Sequence, residues 1–251
     1  MASMGPRSAP RLRLSQMGPR CPKALWHSIH TPHLAQPLPP WAQIKYGYGH
    51  IIEALVITLA KAAGHEVTGE QDAIVFDGVE GHRDCVIDGN LVDVKSASSF
   101  GFKKFKDKSI ATDDPFGYLD QLDGYLGGSL DDDVVRNKQS AFLLAVDKTL
   151  GHLALYEHHL RLQNIRDRVR TYKEIVGRDH APACTCGTQA EGKSGNITLD
   201  TKASYSDFKH ICFPGLRTFL YASGPVDFVK VVKHPLPHIV EVDKNGKIVY
   251  N

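Results

Sequence analysis

The spacing of apolar and polar positions along the chain predicts three helices. Residues 48–63 read YGHIIEALVITLAKAA, which indicates a helix from Tyr48 to Ala63 that ends at Gly64. Apolar residues surround this helix on nearly every side, so we expect it to be buried. The run DPFGYLDQLDGYLGG predicts a second helix, from Asp114 to Leu126. The third, in residues 160–177, is amphipathic, and its apolar stripe consists of Leu162, Ile165, Val169, Tyr172 and Val176.

Short runs of β-branched and aromatic residues predict the strands. Residues 177–202 are rich in Gly, Ser and Thr, which indicates a loop, and a small C-terminal unit follows them. The predicted strands are AIVFD (73–77), GHRDCVI (81–87), LVDVKS (91–96), SAFLLAVD (140–147) and HLALYEH (152–158).

Asp88-Gly89 separates two of these strands and is typical of a two-residue type I′ hairpin turn. In that register Asp84 lies directly opposite Asp93, with Cβ atoms about 4.5–5.5 Å apart. Side chains alternate along a strand, so Lys95 shares the face of Asp93. The hairpin therefore predicts two carboxylates and one amine in a small volume.

Two opposed carboxylates repel each other, and a divalent cation between them reverses the sign of that interaction. A neighbouring lysine neutralises charge, orients a water or stabilises a developing negative charge. Such a combination is typical of metal-assisted attack on a phosphodiester. The alternative is a solvent-facing pair of polar strands with a salt bridge to Lys95.

The first predicted helix favours the metal hypothesis. His50 and Glu53 are three residues apart and share one helix face. They interrupt an otherwise apolar helix, and burying such groups without partners is costly. A metal ion, or a carboxylate that ligates it, would satisfy both side chains, whereas a lone histidine is more often a hydrogen-bonded core residue.

Composition sets few limits on function. The 251 residues contain 30 Lys and Arg against 28 Asp and Glu, a net charge of +2 that neither indicates nor excludes a nucleic-acid partner. No apolar run reaches the roughly 18–20 residues of a membrane span, and no secretory signal pattern begins the chain. The five cysteines are an odd number, which favours a reducing compartment over a disulfide scaffold. We therefore expect a cytoplasmic protein.

Residues 1–40 form a basic N-terminal arm, and 41–251 are predicted to form a single domain. The arm contains arginines and one lysine but no carboxylate, since the first acidic residue of the chain is Glu53. Three interpretations fit this composition: a phosphate-contacting arm, a mitochondrial transit peptide and a partly ordered tail.

The order of these residues resembles the PD-(D/E)xK nuclease superfamily, in particular its RecB-like branch of phage exonucleases and CRISPR-associated relatives. The segment LRLSQMGPRCPKALWHS (12–28) also resembles the opening segment of phage members. Arg83 stands where the superfamily usually has proline. The matched residues are Gly47, His50 and Glu53 on the first helix, Asp84, Asp93 and Lys95 on the strands, and Gln121 and Tyr125 (Gln-x-x-x-Tyr) on the next helix.

The resemblance implies an α/β restriction-endonuclease-like core, a mixed central sheet flanked by helices in the order α-β-β-β-α-β. It implies a Mg²⁺- or Mn²⁺-dependent DNA exonuclease that acts on single-stranded or end-bearing double-stranded DNA. The resemblance also implies a role in phage-type recombination or replication. The expected partners are phage proteins of these processes, and the expected location is the host-cell cytoplasm. The implied metal ligands are His50, Asp84, Asp93 and the Val94 carbonyl. Lys95 would position the attacking water, Glu53 would reach a second metal or orient a ligand, and Gln121 and Tyr125 would hold substrate.

Two other functions remain open. One is a structure-specific or restriction-like endonuclease of the same superfamily. The other is a non-catalytic DNA-binding protein built on a nuclease fold, against which the retention of all the candidate active-site residue types argues.

Two basic segments are candidate DNA contacts. In FGFKKFKDKS (100–109), Lys103, Lys104 and Lys106 are predicted to line a DNA channel, with Phe102 or Phe105 as a stacking wedge. The alternative is a solvated loop with apolar anchors. On the amphipathic helix, a face with Arg166, Arg170 and Lys173 is either solvated or a DNA contact.

The cysteines bear on a second cofactor. Iron–sulfur members of the branch hold a cluster with one N-terminal and three C-terminal cysteines, and in this chain Ala203 and Ser206 occupy two of those positions. Only Cys21 and Cys212 then remain, so the resemblance implies no iron–sulfur cluster, which needs four ligands. Zinc at Cys184 and Cys186 with His180 is the other option, although Cys-x-Cys is a poor spacing for structural zinc.

Overall fold

A computed structural model describes residues 10–38, 40–236 and 238–249. The helices are α1 (Pro22–His30), α2 (Pro40–Ala62), α3 (Ser99–Lys106), α4 (Tyr118–Gly127), α5 (Leu162–Val176), α6 (Thr201–Ser204) and α7 (Lys209–Cys212). The strands are β1 (Val67–Thr68), β2 (Ala73–Phe76), β3 (Val79–His82), β4 (Cys85–Ile87), β5 (Asn90–Ala97), β6 (Ser140–Asp147), β7 (Leu153–His159), β8 (Thr188–Ala190), β9 (Ile197–Leu199), β10 (Arg217–Tyr221), β11 (Gly224–Lys230) and β12 (Val240–Val242).

The chain divides into two compact units. The larger unit comprises Arg11–Pro19 and Leu38–Lys173, and the smaller comprises Met1–Pro10, Arg20–Pro37 and Glu174–Asn251. Much of the predicted N-terminal arm therefore groups with the C-terminal third of the chain, and α1 forms within it. Residues 1–9 of the arm lie outside the described residues.

The larger unit is built on a five-stranded sheet with the strand order β1-β4-β5-β6-β7. β5 and β6 are parallel, while the other neighbouring pairs are antiparallel, so the sheet is mixed. Helix α2 packs against β5, and α3 and α4 pack against β6. The α/β prediction and its helix-flanked mixed sheet are confirmed. The hairpin of β2 and β3 is an addition to the core order and forms a separate two-stranded sheet.

The predicted hairpin has the predicted register, with Cys85 opposite Val92. Asp88 and Gly89 both have positive φ values, 50° and 78°, as a type I′ turn requires. The prediction of one continuous strand over 81–87 is wrong, because the chain breaks into β3 and β4 around Arg83.

Arg83 explains that break. Its side chain is almost fully buried, and its guanidinium pairs at 2.6 Å with both Asp72 and Asp132. It also donates to the Gly69 carbonyl. A buried arginine with three acceptors fixes the backbone at the position before Asp84, which lies outside the strand.

Two helix predictions need correction. Helix α2 begins at Pro40 rather than Tyr48, and it is not buried all round. Only one face packs on β5, where Val56 and Ile57 are buried. The helix predicted from Asp114 begins at Tyr118, because the Asp114 carboxylate accepts hydrogen bonds from two backbone N–H groups at the helix start. The exposed apolar residues of α2 are Ile44, Tyr46, Tyr48, Ile51, Leu55 and Leu59.

Helix α3 covers most of the basic segment 100–109, for which the sequence indicates either a lining of a DNA channel or a solvated loop. The Ser98 side chain caps its N-terminus by accepting from the Gly101 N–H at 3.2 Å. Phe102 and Phe105 are buried, so neither is available as a stacking wedge. The aromatic residue that α3 exposes is Phe100, at 83%.

The smaller unit has its own antiparallel sheet, in the strand order β12-β10-β11-β9-β8. Its core contains Phe219 and Phe228, packed edge to face at 5.3 Å between ring centroids. The prediction of a loop over 177–202 is only partly right, since β8 and β9 lie within it. Among the described residues, no helix has both the length and the apolar character needed to cross a membrane.

Candidate active site

Asp93 lies on the central strand β5 and is 1% exposed. Its Oδ1 accepts a hydrogen bond from Gln121 Nε2 at 3.2 Å. Its Oδ2 lies 2.6 Å from Lys95 Nζ, but this ion pair falls outside the angles of a hydrogen bond. Oδ2 is buried, and the Lys95 ammonium beside it compensates its charge. A buried carboxylate next to a second carboxylate is a candidate ligand for a cation.

Asp84 stands at the end of the hairpin, just before β4. Its Oδ2 accepts a hydrogen bond from the Val94 N–H at 2.7 Å. This side-chain bond takes the place of a backbone bond between β4 and β5, whose pairing ends at Cys85. The N–H and C=O of one strand residue point to the same side, so the Val94 carbonyl also faces the Asp84 side of β5. The two carboxylates and this carbonyl are therefore the candidate oxygen ligands of the site.

The charges at this point are strongly coupled. Burial and, after it, the Asp93 carboxylate raise the pKa of Asp84 to about 8; Glu53 adds to the effect, while Lys95 and the Val94 N–H oppose it. Without a cation, Asp84 therefore holds its proton at neutral pH. A divalent ion would favour the ionised form of both aspartates.

Lys95 supplies the fixed positive charge of the site. Burial alone would lower its pKa, but the carboxylates of Asp93 and Asp84 outweigh burial and raise that pKa above its ordinary value. The ammonium also lies 4.9 Å from the centre of the Tyr118 ring, within the range of a cation–π contact. Lys95 therefore stays protonated, which suits a hydrogen-bond donor and excludes a role as general base near neutral pH.

Side chains of helix α4 fix the position of Asp93 through hydrogen bonds. Gln121 Nε2 donates to the Tyr125 hydroxyl oxygen at 2.9 Å as well as to Asp93. Tyr125 is buried, and burial together with the Asp93 charge raises its pKa to about 12. Of the Gln-x-x-x-Tyr pair predicted to hold substrate, Gln121 thus contacts the Asp93 carboxylate and Tyr125 contacts Gln121. Their part in substrate binding stays a prediction.

The two predicted site residues of α2 differ in position. Glu53 is half-buried, accepts a hydrogen bond from Gln71 at 2.5 Å, and is close enough to raise the pKa of Asp84. His50 is exposed. In the described ranges, neither His50 nor the carboxylates of Glu53, Asp84 and Asp93 belong to a group of three potential metal ligands whose ligand atoms all lie within 4.8 Å of one another. The structure brings together Asp84, Asp93, Lys95 and Gln121, but it does not bring His50 to them.

The basic residues of α3 lie next in the chain after β5. Lys103 and Lys106 are exposed, whereas Lys104 is paired with Asp113 at 2.6 Å. On α5, Arg166 and Arg170 are exposed.

Sequence interpretation missed Tyr118, although a signal for it exists. Tyr118, Gln121 and Tyr125 follow the spacing i, i+3, i+7, so one face of α4 presents all three to the same neighbours. The spacing gives the face, but only the fold shows that this face meets Lys95 and Asp93.

The donor set fits a hard divalent cation. Carboxylate and carbonyl oxygens are the ligands that Mg²⁺ and Mn²⁺ prefer, and a cation would relieve the repulsion between Asp84 and Asp93. The cluster of Asp84, Asp93, Lys95 and Gln121 offers no thiol or imidazole, the groups that softer metal ions prefer.

No protein-family model matches the chain, and no curated protein sequence matches it significantly. Among solved structures, it is similar to an alkaline exonuclease from Laribacter hongkongensis, with a TM-score of 0.40 and 14% identity over 53% of this chain and 68% of that one. It is also similar to the protein SSO0001, with a TM-score of 0.47 and 17% identity over 83% of this chain and 89% of the other. These are partial likenesses of backbone arrangement, and the functional assignment depends on the side chains described above.

Proposed function

We propose that the chain is a divalent-metal-dependent deoxyribonuclease that removes nucleotides from DNA ends. The observation that supports this most is the pair of buried carboxylates, Asp84 and Asp93, beside a protonated Lys95. Asp93 is almost fully buried and its Oδ2 pairs with Lys95 at 2.6 Å, while Asp84 has a pKa of about 8 in the absence of a cation. This arrangement costs stability unless an ion occupies it, which is typical of a site selected for function.

Asp84, Asp93 and the Val94 carbonyl would hold Mg²⁺ or Mn²⁺, and the resemblance adds His50 as a further ligand. When bound, the ion supplies Lewis acidity toward a phosphodiester and lowers the pKa of a water. Because His50 is exposed and apart from the carboxylates, its ligation requires a shift of its side chain or of α2, or an intervening water.

The chain's own residues have separable roles in this proposal. The Lys95 ammonium donates hydrogen bonds to the attacking water and offsets the negative charge that develops on the phosphate. Gln121 fixes the orientation of Asp93, and Tyr125 fixes Gln121 in turn. Glu53 adds negative charge on the α2 side and so favours cation binding.

DNA is the proposed substrate because helix α3, which directly follows β5 in the chain, has exposed positive side chains. Exposed Lys103 and Lys106 suit contacts with phosphates, and exposed Phe100 is available for stacking on an unpaired base. Lys104 would need to leave Asp113 to join them. Such contacts predict little base preference and a steep decrease of activity with salt.

Cleavage from ends is favoured over internal cleavage by the joint presence of His50, Asp93-Val94-Lys95 and Gln121-x-x-x-Tyr125, which resembles the end-processing branch. The alternative is an endonuclease of the same superfamily. A non-catalytic DNA-binding protein is less consistent with two buried carboxylates placed beside each other and beside Lys95.

One assay separates the three functions. End-labelled linear DNA and covalently closed circles, each single- and double-stranded, are incubated with the protein in Mg²⁺, in Mn²⁺ and in EDTA. An exonuclease degrades linear DNA with either metal ion and leaves circles intact. Efficient cutting of circles would replace exonuclease by endonuclease, and binding without any cleavage would refute catalysis.

A further inference from the structure

Four of the five cysteines of the chain meet in the smaller unit. Cys21 is the N-cap residue of α1, Cys184 and Cys186 lie in the segment before β8, and Cys212 is the last residue of α7. Their four Sγ atoms all lie within 4.8 Å of one another. The expectation that only Cys21 and Cys212 are available as ligands is thus corrected, because the Cys-x-Cys segment supplies two further thiols.

The sulfur–sulfur distances identify the size of the group that fits. Cys21 Sγ lies 3.7 Å from Cys184 Sγ and 3.8 Å from Cys212 Sγ. A tetrahedral zinc ion with Zn–S bonds of about 2.3 Å places its ligands about 3.8 Å apart. In an iron–sulfur cubane each thiolate binds a different iron, so the four thiolates lie farther apart than the ligands of a single ion.

Backbone N–H groups support charge on these sulfurs. The Thr185 N–H donates to Cys21 Sγ at 3.4 Å, and the Cys186 N–H donates to Cys184 Sγ at 3.3 Å. Hydrogen bonds of this kind orient thiolate ligands and stabilise their negative charge. They also show how a short Cys-x-Cys segment presents both thiols to one point: the residue between them turns its N–H toward the third ligand.

We infer that Cys21, Cys184, Cys186 and Cys212 form a structural site for one tetrahedrally coordinated Zn²⁺. Four protein ligands complete the tetrahedron and leave no open position for a substrate or a water, as in structural rather than catalytic zinc sites. The Zn²⁺ joins α1, the segment before β8 and α7. It is separate from the Mg²⁺ or Mn²⁺ site, whose donors are oxygens of the larger unit.

A metal ion at this site would stabilise the smaller unit. Helices α6 and α7 of that unit have only four residues each, and α1 comes from a distant part of the sequence. Cys21 is 163 residues from Cys184 and 191 from Cys212, so the contacts close very long loops. A metal that binds the folded state and not the unfolded chain stabilises these contacts by mass action.

The direct test is the metal content of the full-length protein, purified without air from cells supplied with both zinc and iron. We expect one zinc per chain, no iron and no acid-labile sulfide. A thiol-modifying reagent should release the zinc, and an indicator dye would measure it. Replacement by Co²⁺ should give the intense sulfur-to-cobalt charge-transfer bands of a tetrathiolate site.

Two outcomes would overturn the inference. Iron with stoichiometric acid-labile sulfide would show a cluster in place of a single ion. Protein without bound metal, whether its four thiols react freely or are joined in disulfides, would show that the cysteines are not a metal site.

Variants locate the zinc. Cys184→Ser and Cys212→Ser should each lower the zinc content at least tenfold and lower the melting temperature. The matched control is Cys85→Ala, which removes the fifth cysteine, a buried residue of β4 outside the group. It should keep one zinc per chain, and equal zinc loss in this control would also refute the assignment. If a ligand variant fails to fold, metal content and cobalt spectra of the unmodified protein still decide.

Discussion

The two aspartates of the candidate active site are predicted to affect stability in opposite directions. In Asp84→Asn the amide oxygen still accepts the Val94 N–H, but the group that holds a proton at neutral pH is gone. The free energy of unfolding of this variant should therefore exceed that of the wild-type protein when no divalent ion is present. The same substitution should abolish cleavage, because it removes a metal ligand.

The magnitude follows from the pKa of Asp84. It is about 8 in the folded protein and about 3.9 in an unfolded chain. Between these values the folded state binds a proton that the unfolded state does not, so wild-type stability decreases as the pH rises. Each pH unit is equivalent to about 1.4 kcal/mol, which gives an upper bound of about 4 kcal/mol at pH 7.

The assay is urea unfolding of both proteins in EDTA from pH 4 to pH 9. At pH 4 Asp84 is protonated in the folded state, and the two curves should nearly coincide. Their difference should then increase in favour of Asp84→Asn until about pH 8. Adding Mg²⁺ at pH 8 should stabilise the wild-type protein and not the variant.

Asp93→Asn is the matched comparison. It leaves the largely buried Lys95 ammonium without its nearest carboxylate, and breaking a buried ion pair in this way costs about 3–5 kcal/mol. This variant should be inactive and less stable than the wild-type protein. The reasoning is refuted if Asp84→Asn is no more stable than wild type at pH 8, or if their difference does not depend on pH.

Three further outcomes follow from the same contacts. Lys95→Ala should lower cleavage by about 100-fold or more, because it removes the donor aimed at the developing charge, while circular dichroism shows an intact fold; wild-type rates would exclude that role. Gln121→Ala should lower the cleavage rate more than Tyr125→Phe, because only the glutamine contacts Asp93 directly. Both variants should still bind Mn²⁺. A larger effect of Tyr125→Phe would instead favour direct substrate contact by the tyrosine. Arg83→Ala should lower the free energy of unfolding by about 3–5 kcal/mol, whereas Asp72→Ala should cost less, because the half-exposed Asp72 leaves Arg83 its pairing with Asp132; equal losses on urea unfolding would argue against this division.

Features encoded within a few residues were predictable from the sequence. Asp88-Gly89 specified the turn and the turn specified the register as far as Cys85 and Val92, while strand alternation placed Lys95 on the face of Asp93. Asp84 lies beyond the paired residues and contacts β5 through the Val94 N–H. The turn and the alternation depend on local geometry, which one sequence contains. The helix-flanked mixed α/β sheet was instead implied by the resemblance of the motif residues to the PD-(D/E)xK nuclease superfamily.

Features that depend on which segments meet were not predictable. The apolar residues of α2 give no indication of which face packs on β5, so the sequence predicts a buried helix where the structure has an exposed stripe. The strand over 81–87 appeared continuous because the pairing of Arg83 with Asp72 and Asp132 is tertiary. From the sequence, Cys184 and Cys186 suggest zinc only together with His180, because nothing local shows that they meet Cys21, more than 160 residues earlier.

The central claim is that Asp84 and Asp93 together hold the divalent ion on which DNA cleavage depends. The most direct test measures Mn²⁺ binding by electron paramagnetic resonance and degradation of end-labelled linear DNA in the same samples of wild type, Asp84→Asn and Asp93→Asn. We predict that wild type binds Mn²⁺ and degrades the DNA, and that both variants lose binding and cleavage together. Variants that bind Mn²⁺ and cleave DNA like the wild-type protein would contradict the account.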